Sequence, residues 1–210
     1  MTASADFTSF SGKTVIGLTG PVAGGKSFAL SCFSKYGADV ISADEVNRTI
    51  IDTSDFFAII SERYGSRFAK DGCLDKKKFA EYIFSDKQEK KWLEDLLHPR
   101  ILKKIDEFVK LSEKEIIIVE MPLLFEAGLK NKFDLTICIS ADEKKLYERA
   151  SCRGWTRKHY EERCSGQFPL EKKCALADFI IRNDSSPQEF EEKIRKFCRL
   201  MKIISGRKQS

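Results

Sequence analysis

One stretch of this chain leaves the backbone little choice. Gly20-Pro21-Val22-Ala23-Gly24-Gly25-Lys26-Ser27 follows the β-branched run Val15-Ile16-Gly17-Leu18 and opens an amphipathic segment. It satisfies the spacing G-x-x-x-x-G-K-[ST] in the order strand, loop, helix that the motif requires. Such a loop aims backbone N–H groups and the positive end of a helix at one spot, which suits the β- and γ-phosphates of a nucleoside triphosphate. Lys26 adds a positive charge, and Ser27 offers its hydroxyl to Mg²⁺. A plain strand-to-helix turn with an incidental lysine and serine is the alternative, and it leaves the joint match of spacing and context unexplained.

Around this loop, short apolar β-branched runs alternate with amphipathic stretches. Strands are predicted over 14–18, 39–42, 116–119, 135–139 and 179–181, and helices over 27–36, 142–150 and 187–201. That alternation implies an α/β fold, a P-loop kinase fold with a five-stranded parallel sheet covered on both faces. The second and third strands lie about seventy residues apart, too far for one crossover helix, so an inserted helical domain is expected there. Within it, Asp75 reads as the cap of a helix over 76–84, and Asp86 as the cap of a long helix toward Lys110 that Pro99 kinks or divides. Charged residues mixed with Gly and Pro over 152–174 suggest a helical lid with hinges. The nucleotide-binding core is then 13–51, 114–151 and 175–205, with the insertion at 52–113.

Composition narrows the function classes. At 210 residues one core with insertions is expected, and 42% apolar with 33% charged residues suits a folded globule. A net charge of +5, spread along helical stretches, fits an anionic small molecule better than a nucleic acid. Lys76-Lys77-Lys78 reads as a solvated helix face. The seven cysteines form no Cys-x-x-Cys pair and have no histidine at zinc-ligand spacing, so free thiols in a reducing cytoplasm are expected. Residues 1–12 contain no apolar signal core, and the apolar stretch 116–125, broken by Glu120 and Pro122, is too short to span a bilayer. Neither a membrane nor a nucleic-acid partner is expected, and the chain reads as a monomer or weak homo-oligomer.

Phosphoryl transfer also needs groups for the acceptor and the metal. Asp44 follows the second strand, at the carboxyl end where parallel sheets bind ligands, and could take the acceptor's proton or simply cap the next helix. Glu120 ends the third strand, where it faces either the metal and its waters or bulk solvent. Arg149, Arg153, Arg157 and Arg163 cluster at the lid. A guanidinium there can close over a γ-phosphate, and Arg149 and Arg153, four apart, are expected on one helical face. His98 either contacts ligand or packs. Asn131-Lys132-Phe133-Asp134 matches the Asn-Lys-x-Asp base-reading motif of GTPases, but it precedes a strand instead of following one, and no Asp-x-x-Gly switch accompanies it. A GTPase is therefore rejected.

With these residues in place, the chain from 14 to 199 resembles the dephospho-coenzyme A kinase family. The resemblance is carried by Gly17-Leu18-Thr19-Gly20, Ile41-Ser42-Ala43-Asp44, Leu97-His98-Pro99, Glu120-Met121-Pro122-Leu123-Leu124-Phe125-Glu126 and Leu176-Ala177-Asp178-Phe179-Ile180-Ile181-Arg182-Asn183. It implies transfer of the ATP γ-phosphate to the 3′-hydroxyl of dephospho-CoA with Mg²⁺, in the last step of coenzyme A synthesis. On the same ground Asp44 is the acceptor base, acting with Lys26, Arg149 and Arg153. Gly20 to Ser27, Phe28 and Asn183 contact the nucleotide, the last near adenine. Asp44, His98 and Pro122 contact the acceptor within a CoA-binding helical insertion, and Ser27 and Glu120 serve the metal. The loop departs from the family's Gly-Gly-Ile-Gly-Ser-Gly-Lys at Pro21 to Gly24, and Pro21 removes one N–H donor. Arg182 stands where the family commonly has Asp. A nucleoside or nucleoside-monophosphate kinase is the second enzyme reading, and a nucleotide-binding regulatory module the third.

Overall fold

A computed structural model describes residues 12–207, with side chains to 202. Residues 1–11, most of the stretch read above as lacking a signal core, lie outside the described residues. The elements run β1 (Thr14–Thr19), α1 (Lys26–Lys35), β2 (Asp39–Ser42), α2 (Ala43–Ile51), α3 (Ser54–Tyr64), β3 (Ala69–Lys70), β4 (Cys73–Leu74), α4 (Lys76–Ser85) and α5 (Lys87–Leu111). They continue as β5 (Ile116–Glu120), β6 (Leu135–Ser140), α6 (Glu143–Ser151), α7 (Arg157–Cys164), α8 (Leu170–Leu176), β7 (Phe179–Arg182) and α9 (Pro187–Arg207). The described residues fall into two compact units, one up to Ser42 and again from Phe108, the other Ala43–Glu107.

The first unit holds the expected parallel sheet, in the order β2-β5-β1-β6-β7. β1 is central and every one of its residues is buried, as a strand covered on both faces must be. Its register sets Thr14 opposite Ile116 and Leu18 opposite Glu120. Aspartates pin the strand starts: Val15 N–H donates to Asp134 Oδ2 at 2.8 Å, and Thr136 donates from N and Oγ1 to Asp178 Oδ2 at 2.8 and 2.7 Å. Asp134, the last member of the GTPase-like tetrapeptide, is thus a register residue. Burial works to raise the Asp178 carboxyl, but the Thr136 and Lys130 hydrogen bonds outweigh it and hold it below its usual range.

One sheet face packs Ile16, Leu18, Ile118, Ile137 and Ile139 against Ala29 and Phe33 of α1 and Phe190, Ile194 and Phe197 of α9. Phe33 meets Phe197 edge-on, with centroids 6.1 Å apart. A smaller cluster joins Ala23 to Ala141, Leu146, Ala150 and Tyr160, with Val22, Tyr147 and Trp155 at its margin. Side chains of the glycine-rich loop therefore pack on α6 and α7.

The second unit is a helical assembly around Phe56, Ile60, Phe68, Phe79 and Ile83, all buried. Tyr64 stands edge-on to Phe68, Phe79, Tyr82 and Trp92 and donates its hydroxyl to Glu89. Burial, then that carboxylate, push the Tyr64 phenol up to about 12. Asp75 accepts Lys78 N at 3.1 Å, and Asp86 accepts Gln88 N and Glu89 N at 2.7 and 3.2 Å, so both expected caps form. α5 runs on through Pro99 as one helix, so of the kink or division expected there the division does not occur. A hairpin that the sequence reading did not include pairs β3 with β4. Its turn is Asp71-Gly72, with φ of 50° and 77°, the doubly positive geometry that an Asp-Gly pair favours. Lys76, Lys77 and Lys78 are exposed at the start of α4, as expected of a solvated face.

Candidate active site

The loop between β1 and α1 is built to receive an anion. α1 begins at Lys26 with Gly25 as its N-cap at φ 97°, without a side-chain cap and without an acidic residue in its first turn. Its leading N–H groups are therefore not taken up by a capping side chain, and no acidic residue in the helix's own first turn offsets its positive end. Lys26 itself lies at that end, an unfavourable place for a cation unless an anion is there too. Its Nζ donates to the Gly20 and Pro21 carbonyls, each at 3.1 Å. Ser27 is exposed, with no hydrogen bond from its hydroxyl among the described residues. Phe28, half exposed, stacks on Phe190 at 5.9 Å.

Ala23 takes a left-handed conformation, φ 60°, and is buried in the cluster with Leu146 and Tyr160. The departure at Ala23, where the family has Gly, thus exchanges backbone freedom for packing against the α6–α7 region, with Val22 at the margin of the same cluster. Gly24 N donates to the Pro21 carbonyl at 3.1 Å, closing the turn.

Asn183 and Arg149 brace the loop from β7 and α6. Asn183 is buried, and its Nδ2 donates to Gly24 O at 2.9 Å. Arg149 donates to the Asn183 main-chain oxygen at 2.7 Å and to its Oδ1 at 3.3 Å, leaving Nη1 buried without a hydrogen-bond partner among the described residues. The amide nitrogen of Asn183, expected near adenine, is thus committed to the loop. Arg153 does not share a helical face with Arg149: α6 ends at Ser151, and the chain turns over 152–154 with Gly154 at φ 79°. Arg153 is exposed in that turn with no partner among the described residues. Arg157 instead pairs with Glu161 at 2.7 Å, and Arg163 lies over the Trp155 ring at 4.4 Å. Arg182 pairs with Asp184 at 2.7 Å.

Gly25 gives a sharp test of the brace. A Cβ there would lie 2.3 Å from Asn183 Nδ2, at a φ of 97° that L-residues rarely adopt. Gly25→Ala is expected to abolish measurable ATP binding by calorimetry, and Asn183→Ala in the same chain should restore it only in part. Full restoration would show that the backbone strain is immaterial.

Glu120, at the end of β5, is buried and accepts the Ser42 hydroxyl at 2.5 Å, so it does not face bulk solvent. Pro122, two residues on, presents its carbonyl to Thr19 Oγ1 at 3.1 Å. In the helical unit, Asp44 occupies the first turn of α2, exposed, with no hydrogen bond to its carboxylate among the described residues. Because the helix already starts at Ala43, Asp44 is not its cap. Arg48 follows one turn later on α2, exposed and 3.8 Å from Glu45. His98 is exposed on α5, so the packing alternative fails.

The loop, its bare helix terminus and the parallel sheet behind them define a P-loop phosphotransferase. Over residues 14–189 the chain matches the family described as dephospho-CoA kinase. A dephospho-CoA kinase from Prochlorococcus marinus is 34% identical over 192 residues, covering 87% of this chain and 94% of that protein. Among solved structures, a Thermus thermophilus protein superposes with a TM-score of 0.78 at 25% identity, covering 90% of this chain and 96% of its own. A dephospho-CoA kinase from Campylobacter jejuni superposes at 0.64 with 26% identity, covering 90% and 97%. The chain belongs to the dephospho-CoA kinase family, and membership implies a kinase that uses ATP. No helix among the described residues is long and apolar enough to cross a membrane.

Proposed function

We propose that this chain transfers the γ-phosphoryl group of ATP to the 3′-hydroxyl of dephospho-CoA, the last step of coenzyme A synthesis. The observation that carries this reading is the uncapped, acid-free start of α1, led by Lys26 and Ser27, in a chain of this family. Lys26 and the loop N–H groups from Gly20 to Ser27 hold the β- and γ-phosphates, with Phe28 and Asn183 bordering the nucleotide. Asp44 accepts the proton of the 3′-hydroxyl as its oxygen attacks phosphorus, and the free carboxylate two residues past β2 supports that role. Arg149 and Arg153 stabilise charge on the transferring group.

The Ser27 hydroxyl and the Glu120 carboxylate are hard oxygen donors that fit Mg²⁺, which takes few protein ligands and keeps phosphate oxygens and waters. Among the described residues no group of three or more His, Cys, Asp or Glu side chains is placed to hold a metal ion. When bound, Mg²⁺ neutralises charge on the β- and γ-oxygens. The insertion at 52–113 is the CoA-binding domain, with His98 and Pro122 contacting the acceptor, and 152–174 is the lid. The chain works in the cytoplasm as a monomer or weak homo-oligomer, without a nucleic-acid or membrane partner, on small-molecule substrates.

ATP consumption measured with a panel of acceptors tests the reading. Turnover is expected with dephospho-CoA and not with nucleosides or nucleoside monophosphates. Preference for a monophosphate would transfer the assignment to that kinase class.

A further inference from the structure

Lys173 of α8 has no exposed side-chain surface, a rare state for a lysine. Its ammonium has three protons and meets three acceptors: Pro122 O at 2.7 Å, Gln167 Oε1 at 3.0 Å and Glu126 Oε1 at 3.0 Å. The acceptors belong to two separate parts of the chain. Pro122 and Glu126 follow β5 and Glu120, while Gln167 lies in the connection from α7 to α8. Glu126 Oε1 also takes the Phe168 N–H of that connection at 2.7 Å. The Pro122 carbonyl is shared with Thr19 Oγ1, and Met121 N donates to Leu18 O at 2.9 Å. Thr19 is the residue just before Gly20. One buried ammonium therefore ties together the entry to the phosphate loop, the segment after Glu120 and the end of the α7–α8 connection.

A buried ion pair is a weak source of stability, since apolar side chains of similar volume often serve as well or better. What an apolar residue at 173 could not do is fix a carbonyl, a carboxylate and an amide in one mutual geometry. Glu126 Oε2 is moreover buried without a hydrogen-bond partner among the described residues, a cost that a pure packing role would not require.

We propose that Lys173 is a positioning residue for phosphoryl transfer: through the Pro122 carbonyl it holds the segment after Glu120 against the phosphate loop, and through Glu126 and Gln167 it couples that segment to the α7–α8 connection. The proposal rests on the kinase reading above. Loss of the tie shifts Pro122 and the chain beside Glu120, whereas the loop's own N–H groups still hold ATP. Misplacement by about 1 Å far from the reacting atoms can cost about 10²-fold in rate.

Lys173→Met alone leaves the Glu126 charge buried and unpaired, a strongly destabilising change, so the decisive variant is Lys173→Met with Glu126→Gln. In that double variant kcat with dephospho-CoA is expected to fall about 10²-fold, with KM for ATP and cooperative melting retained. Amide hydrogens of 121–126 should exchange faster than in the wild-type chain. An unchanged kcat in the folded double variant overturns the proposal. Should the wild-type chain itself fail to phosphorylate dephospho-CoA, the acceptor reading falls, and exchange over 121–126 still decides: faster exchange there supports the tie, and unchanged exchange overturns it.

Discussion

Asparagine at position 44 is expected to lower kcat by about 10²- to 10⁴-fold while leaving ATP affinity in place. The substitution keeps the shape of the side chain and removes its ability to take a proton. Asp44 is exposed in the first turn of α2 and accepts no hydrogen bond among the described residues. The variant therefore loses no contact and only the modest interaction of a carboxylate with the helix N-terminus. Stability and catalysis are thus separable at this position. Steady-state kinetics beside a thermal melt and ATP calorimetry will show it: a large loss in kcat with a near-native melt is the expected pattern. Unaltered turnover would reduce Asp44 to a favourable helix-terminal charge.

Lys26→Ala is expected to lower kcat by about 10²- to 10³-fold, the scale on which one preorganised donor to developing charge is measured, and to weaken ATP binding as well. The melting temperature should move little. Lys26 is a cation at the positive end of α1, and its Nζ bonds to the Gly20 and Pro21 carbonyls of its own loop. Removing it forfeits those bonds but also relieves an unfavourable charge–dipole contact. A fall in melting temperature as severe as the fall in activity would mean that Lys26 mainly holds the loop together. Joint loss of kcat and ATP affinity also distinguishes this residue from Asp44, for which only kcat is expected to change.

The parts of this account that were legible in the sequence are those set by local rules. The five strands appear as β-branched runs because the interior of a parallel sheet is covered on both faces, although the edge strands β2 and β7 are only partly buried, and the observed strands exceed the predicted ones by a residue at most. The caps at Asp75 and Asp86 follow from side-chain chemistry within three residues. The Asp71-Gly72 turn was equally local and was overlooked, since the hairpin it closes has only two residues on each side. Arg153 was expected on one helical face with Arg149, but α6 ends at Ser151 and the chain turns through Gly154.

Other features depend on partners far along the chain. That Asn183 would brace Gly24, 159 residues away, or that Lys173 would be the most buried charge in the α7–α8 region, depends on how β7 and α8 dock against the loop. No periodicity encodes that docking. Val22 and Ala23 looked like departures from a phosphate loop; in the fold they are packing residues against Leu146 and Tyr160. The loop keeps its spacing because the phosphate contacts come from backbone, while its side chains were free to adapt to the neighbouring helices.

The central claim is the identity of the bond that forms. Purified chain incubated with Mg·ATP and dephospho-CoA, with the product resolved by mass and phosphorus NMR, tests it directly. The account predicts one added phosphoryl group, present as a monoester on the ribose 3′-oxygen and formed in step with ADP. Phosphorylation at another position, or ATP consumption that leaves dephospho-CoA unchanged in a folded preparation, would contradict it.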